Sequence, residues 1–217
     1  MKKLKRPEAP ECLVNFKHGK DSWGAVPKDE IWSQLELMQG RFCAYCECEL
    51  KDRRHIEHFR TRESYPMETF NWNNLFGSCG DTQKKGGWQR CGIYKDSNNI
   101  RKYDINKLIK PDEEDPSIYL LFLTSGQVVP QAGLNESQRQ KAKETIRVFN
   151  LNNNTSLFHR RKCAIESYKD EIDMLYGCLD EFDKDFWNKL YEDNLKGVEG
   201  EEFQTALEHA WKYNQDY

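Results

Sequence analysis

With 217 residues, 12% of them aromatic and 37% hydrophobic, the chain is long enough to bury a core and too aromatic to be disordered, although 32% of it is charged. The net charge of -3 excludes a uniformly basic protein but conceals an asymmetry: residues 1–110 carry 21 Lys and Arg against 15 Asp and Glu, and residues 111–217 carry 12 against 21. A polyanion suits the first part, and solvent or a protein partner suits the second.

The opening MKKLKRPEAPE is basic and lacks the apolar region of a signal peptide, and no run approaches the length of a membrane span, so the chain is expected in the cytoplasm. Thiols stay reduced there, so the eight cysteines point to metal binding rather than disulfides. Residues 1–27 carry three prolines and little periodicity, which predicts an arm wrapped on the body with Trp23 as its anchor. Ile31, Trp32, Leu35 and Met38 have helical spacing, with Asp29 and Glu30 at the start and Gly40 as a stop, which predicts a helix over 28–40.

Next comes the stretch richest in reactive side chains. Cys43-x2-Cys46 is a chelating knuckle, and Cys79 and Cys91 complete four thiolates, the set a structural Zn2+ takes. Cys48 is a poorer alternative to Cys46. Between the cysteine pairs, Arg54–Phe59 predicts a strand on which His55 and Glu57 share a face. Two histidines and a carboxylate flanked by Arg54, Arg60 and Arg62 suit phosphodiester hydrolysis: Glu57 would hold a hard cation, His58 would take a proton from water, and the arginines would hold phosphates. A salt-bridged surface strand is the other reading of the same residues. Trp72–Leu75, a Gly- and Lys-rich insertion at 80–90 and a helix from Cys91 follow, giving the order β, β, α with cysteines at the joints. Within the insertion, Trp88, Gln89 and Arg90 are candidates for substrate contact or members of an ordinary loop.

Further on, residues 117–129 predict two strands around a Ser-Gly turn, and Asn135 caps a helix running to Leu151 with Ala142, Ile146 and Phe149 on one face. Ile165, Tyr168, Ile172, Leu175 and Leu179 form one helical stripe, and Phe203, Ala206, Leu207, Ala210 and Trp211 another. Cys163 and Cys178 are expected as small core residues.

Cys43/Cys46, Glu57-His58, Asn74-Leu75, Cys79 and Cys91-Gly-Ile-Tyr-Lys95 together resemble the HNH (ββα-metal) nucleases with a zinc-knuckle frame. The resemblance implies an α+β fold: a zinc-stabilised ββα-metal core at 41–110, preceded by an arm and helix at 1–40 and followed at 111–217 by a hairpin and a mainly helical region. It implies His58 as general base, Glu57 as acidic metal ligand, Asn74 as the residue that ties the loop and orients the histidine, and Lys95 near the phosphate. The four cysteines would hold Zn2+ away from the chemistry, and Mg2+ or Mn2+ would serve catalysis. Where the family has Asn or His after the last cysteine, this chain has Gly92. Asp96, one turn on, is the expected substitute ligand, with His55 and Asn73 in reserve.

Residues 28–100, with the Met-Gln-Gly-Arg-Phe-Cys-Ala-Tyr-Cys-Glu and His-Ile-Glu-His-Phe-Arg runs, are similar to the HNH subunit of Septu antiphage systems and retron-associated defence modules. That similarity implies a bacterial effector cutting DNA or RNA beside an ABC-type ATPase. The sequence has no G-x4-G-K-[ST] loop, so the ATPase would be a separate chain. A non-catalytic, zinc-stabilised module that binds nucleic acid or protein is the alternative class.

Overall fold

The computed structural model describes residues 1–51, 53–80, 89–97, 102–181 and 183–213. It is α+β. Helix α1 (Lys28–Gln39) precedes the antiparallel pair β1 (Arg54–His58) and β2 (Leu75–Cys79), and α2 (Cys91–Lys95) follows them. A second pair, β3 (Leu120–Phe122) and β4 (Val128–Pro130), leads into α3 (Glu136–Val148), α4 (Thr155–Glu166), α5 (Lys169–Gly177), α6 (Lys184–Gly197) and α7 (Gln204–Tyr213). No helix among the described residues is long and apolar enough to cross a membrane.

Helix α1 buries Ile31, Leu35 and Met38 and stops at Gly40, whose φ of 64° suits a residue without Cβ. Its penultimate contact with the sheet is specific. The Gln39 side-chain amide donates to the Gly77 carbonyl at 2.8 Å and accepts the Gly77 N–H at 2.9 Å, satisfying the outer edge of β2. Position 77 has to be glycine, because a Cβ there would lie 2.7 Å from the Gln39 amide nitrogen.

The N-terminal arm is stitched to this unit. Leu4 N–H reaches the Pro111 carbonyl at 2.8 Å, Trp72 Nε1 donates to the Pro7 carbonyl at 2.9 Å, and Arg6 pairs with Asp112 at 2.7 Å while donating to the Trp72 and Leu75 carbonyls. Trp23 packs against Phe70 and His58, anchoring the arm as its sequence suggests.

Helix α3 begins with a capping box: Asn135 accepts from the Gln138 N–H, and the Gln138 side chain accepts from the Asn135 N–H. Its end touches the first unit, where Phe149 stacks on Tyr45 at 4.1 Å and its carbonyl accepts the Cys91 N–H at 2.9 Å. Helix α7 buries Ala206, Leu207, Ala210 and Trp211, and His209 accepts the Phe122 N–H on β3 through Nδ1 at 3.0 Å. One apolar core runs from Met1 to Trp211, each fully buried aliphatic or aromatic side chain contributing roughly 1.5–3 kcal/mol.

Three sequence expectations are corrected. The stripe beginning at Ile165 is not one helix: Tyr168 separates α4 from α5, and the chain turns there. Cys163 is exposed on α4, and Cys178, the residue that follows the end of α5, is half-buried. The apolar run at 117–123 is strand only over Leu120–Phe122, because Asp115 and Pro116 start a 3-10 turn that takes up its first residues.

Candidate active site and metal centre

Cys43 and Cys46 lie in the turn between α1 and β1, Cys79 ends β2, and Cys91 opens α2. All four are buried, and their sulfurs lie within 4.8 Å of one another. The Cys46 and Cys79 Sγ atoms are 3.7 Å apart. A Zn–S bond of about 2.3 Å places tetrahedral thiolates about 3.8 Å apart, so the donor set fits zinc. Cys91 reaches this position from a left-handed backbone, φ 55°, which is uncommon outside glycine. Cys48 Sγ lies 3.2 Å from Cys46 Sγ, and the buried Arg90 guanidinium reaches Cys48 at 3.8 Å. Arg90 therefore faces the thiols, where its charge offsets theirs, and is not a surface contact. Trp88 lies outside the described residues.

Beside this frame, β1 delivers Glu57 and His58. In the antiparallel register His58 pairs with Leu75 and Glu57 with Phe76, and both side chains are buried. Adjacent strand residues point to opposite faces, so one site can use both only across the end of the strand. Lys95 Nζ sits 2.9 Å from Glu57 Oε1, pairs also with Asp96 and donates to the His58 carbonyl at 3.2 Å. His55 Nε2 lies 3.2 Å from Glu57 Oε2, while its buried Nδ1 has no hydrogen-bond partner.

The charges follow from this packing. Burial pushes the Glu57 pKa up, but the Lys95 charge and the His55 contact outweigh it and hold the carboxyl at about 2. Burial and then the neighbouring Glu57 charge raise Asp96 to about 7, although its side chain is 40% exposed. Burial opposes the charge on Lys95, and its two carboxylate partners more than restore it.

The glycine at position 92 has a steric cause. A Cβ there would lie 2.8 Å from Glu57 Cγ and closer still to its carboxylate. The Glu57 side chain thus lies on the backbone of α2, in the space a ligand at 92 would fill, and Asp96 is the remaining acid at that end of the helix.

His58 is 6% exposed. Its Nε2 lies 3.0 Å from the Thr69 carbonyl, which fixes the proton on that nitrogen and leaves Nδ1 as the basic atom. The Trp23 ring stands edge-on to the imidazole at 4.5 Å. Burial, chiefly, lowers the pKa of His58 to about 4, so it is neutral at pH 7. Asn74 ties the loop that supplies Thr69: its Oδ1 accepts the Arg60 N–H at 2.7 Å, and its Nδ2 donates to the Arg60 and Glu68 carbonyls at 2.9 and 3.1 Å.

Glu57, Asp96, Lys95 and His55 therefore meet in one cluster, with His58 across the strand and Asn74 behind its loop. Lys95, expected near a phosphate, is instead buried between the carboxylates. The arginines scatter. Arg54 pairs with Glu36 at 2.7 Å and stacks on Trp32, Arg60 stacks on Tyr65 and donates to Asn106 at 2.9 Å, and Arg62 is exposed. Asn73 is exposed at the tip of the 72–74 turn. Among the described residues, the four cysteines are the one group of metal-type side chains already close enough to hold an ion. Arg90, a candidate substrate contact from the sequence, faces the thiols instead, and nothing in the sequence singled out the buried Glu47, which accepts the Thr205 N–H at 2.9 Å and pairs with the Met1 amino group. Neither lies in a motif; a charged residue next to a chelating cysteine was the one available signal.

No protein-family model matches the chain. It is similar to two proteins named Septu protein PtuB: one from Bacillus thuringiensis, 28% identical over 170 residues that cover 73% of this chain and 57% of that protein, and one from Bacillus mycoides (strain KBAB4), 24% identical over 194 residues that cover 80% of this chain and 64% of that protein. The chain spans less than two thirds of the length of either relative.

Proposed function

We propose that the chain is a metal-dependent endonuclease of the HNH type, the effector of a bacterial antiphage defence complex that includes an ABC-type ATPase. The observation that carries this reading is the ββα unit of β1, β2 and α2, which brings a buried carboxylate, Glu57, and a neutral, oriented imidazole, His58, to one strand end beside a four-thiolate frame. The similarity to the Septu proteins supports the defence role.

In this reading His58 Nδ1 takes the proton of the attacking water, while Nε2–H, held by the Thr69 carbonyl, fixes the tautomer. Asn74 keeps that carbonyl in place. Glu57 and Asp96 offer hard oxygen donors for Mg2+ or Mn2+, with the softer His55 imidazole in reserve, and the cation when bound would polarise the phosphate and stabilise the leaving oxygen. Lys95 offsets the Glu57 charge while also contacting Asp96, and has to yield part of that contact when a cation binds both. Arg60 and Arg62 remain candidates for phosphate contact.

Two observations favour the rival reading, a non-catalytic zinc-stabilised binding module. Lys95 already offsets the Glu57 charge, and Trp23 covers His58. Phage challenge of cells carrying the whole system separates the two. An effector nuclease loses protection with His58→Ala while the protein still accumulates, and a binding module does not.

A further inference from the structure

Beside the carboxylate cluster the surface opens into a cleft of about 540 Å³. Glu63, Ser64 and Tyr65, from the segment after β1, line it together with Asp96, Ser97, Lys102 and Tyr103, which follow α2. Both tyrosines pack one side on the apolar core and stay partly exposed, so their rings are anchored while still lining the cleft. Arg60 braces the walls, its guanidinium 5.0 Å from the Tyr65 ring centre and bonded to Asn106 at 2.9 Å.

The dimensions and chemistry select a ligand. A cleft of this volume takes one small ligand, of the size of a single nucleotide out of its stack. The exposed parts of the tyrosine rings suit a base of any sequence, the hydroxyls suit sugar oxygens, and Lys102 is the exposed cation for a phosphate in a lining that also carries Glu63 and Asp96.

We propose that the cleft between Tyr65 and Tyr103 is a subsite for one unpaired nucleotide flanking the scissile phosphate, which makes single-stranded or locally opened nucleic acid the substrate class. This rests on the nuclease reading above. Lys102 holds the backbone, the two rings hold the base, and Arg60 sets the spacing.

The test is binding of the full chain carrying His58→Ala, without added divalent cation, to a short fluorescent single strand and to the same sequence as a duplex. The single strand should bind on the order of tenfold tighter. Tyr65→Ala and Tyr103→Ala should each weaken it on the order of tenfold, and Tyr65→Phe and Tyr103→Phe should restore it. Photocrosslinking from a bromouracil-substituted strand, mapped by mass spectrometry without either tyrosine mutated, should land on these walls. Equal duplex affinity, alanine variants that fold and bind unchanged, or crosslinks elsewhere would overturn the proposal. Cleavage that persists with tyrosine-independent binding sinks the cleft alone. Tyrosine-dependent binding to single strands with no cleavage under any divalent cation sinks the nuclease reading alone.

Discussion

The Glu57 carboxylate lies directly on Gly92, in the volume that any side chain at that position would occupy. A side chain on β1 thus fills the space beside α2 that any residue larger than glycine would need. Gly92→Ala should therefore push Glu57 off the helix and away from Lys95, costing roughly 1–3 kcal/mol of stability through overpacking. Urea unfolding measures the cost. An unchanged midpoint would mean that Glu57 has room elsewhere.

Zinc content separates the neighbouring thiols. Purified protein should contain one zinc per chain, and Cys46→Ser should lose it together with most cooperative unfolding, because the metal joins the knuckle, β2 and α2. Cys48→Ser should keep it. Zinc loss from Cys48→Ser and retention in Cys46→Ser would reverse the ligand assignment.

Acid stability reports on His209. Burial, chiefly, depresses its pKa to about 4, and its Nδ1 must stay unprotonated to accept the Phe122 N–H. The unfolded chain takes up that proton near pH 6.5 and the folded one only near pH 4. Stability from this group is thus complete above pH 6.5, falls as the pH drops toward 4, and is flat below. The loss is on the order of 3 kcal/mol, and His58 adds a slope of the same sign. His209→Gln, which can still accept the bond, should make the decline in urea midpoint between pH 6.5 and 4 shallower than in the wild type. An unaltered slope would show that His209 does not titrate in this window.

Much of this was legible in the sequence where one local signal sufficed. The Cys43-x2-Cys46 knuckle, the α1 stripe ending at Gly40 and the Asn135 cap each depend on residues a few positions apart. What was not legible depends on pairs distant in the chain. Lys95 could not be placed between Glu57 and Asp96, nor Arg90 turned toward Cys48, without knowing how α2 packs on β1. Gly92 looked like a missing ligand because its reason, the Glu57 side chain, lies 35 positions away in sequence and in contact in space. The break at Tyr168 escaped notice because apolar spacing continues through the turn between α4 and α5.

The role of His58 as general base in a metal-dependent nuclease is tested most directly by cleavage of plasmid DNA and RNA by the protein together with the proposed ATPase partner, with and without Mg2+ or Mn2+. Divalent-cation-dependent cutting that falls on the order of 10²–10⁴-fold in His58→Ala, with zinc content and melting unchanged, is the predicted result. Cutting by His58→Ala at the wild-type rate, or no cutting by the wild-type complex under any divalent cation, would contradict it.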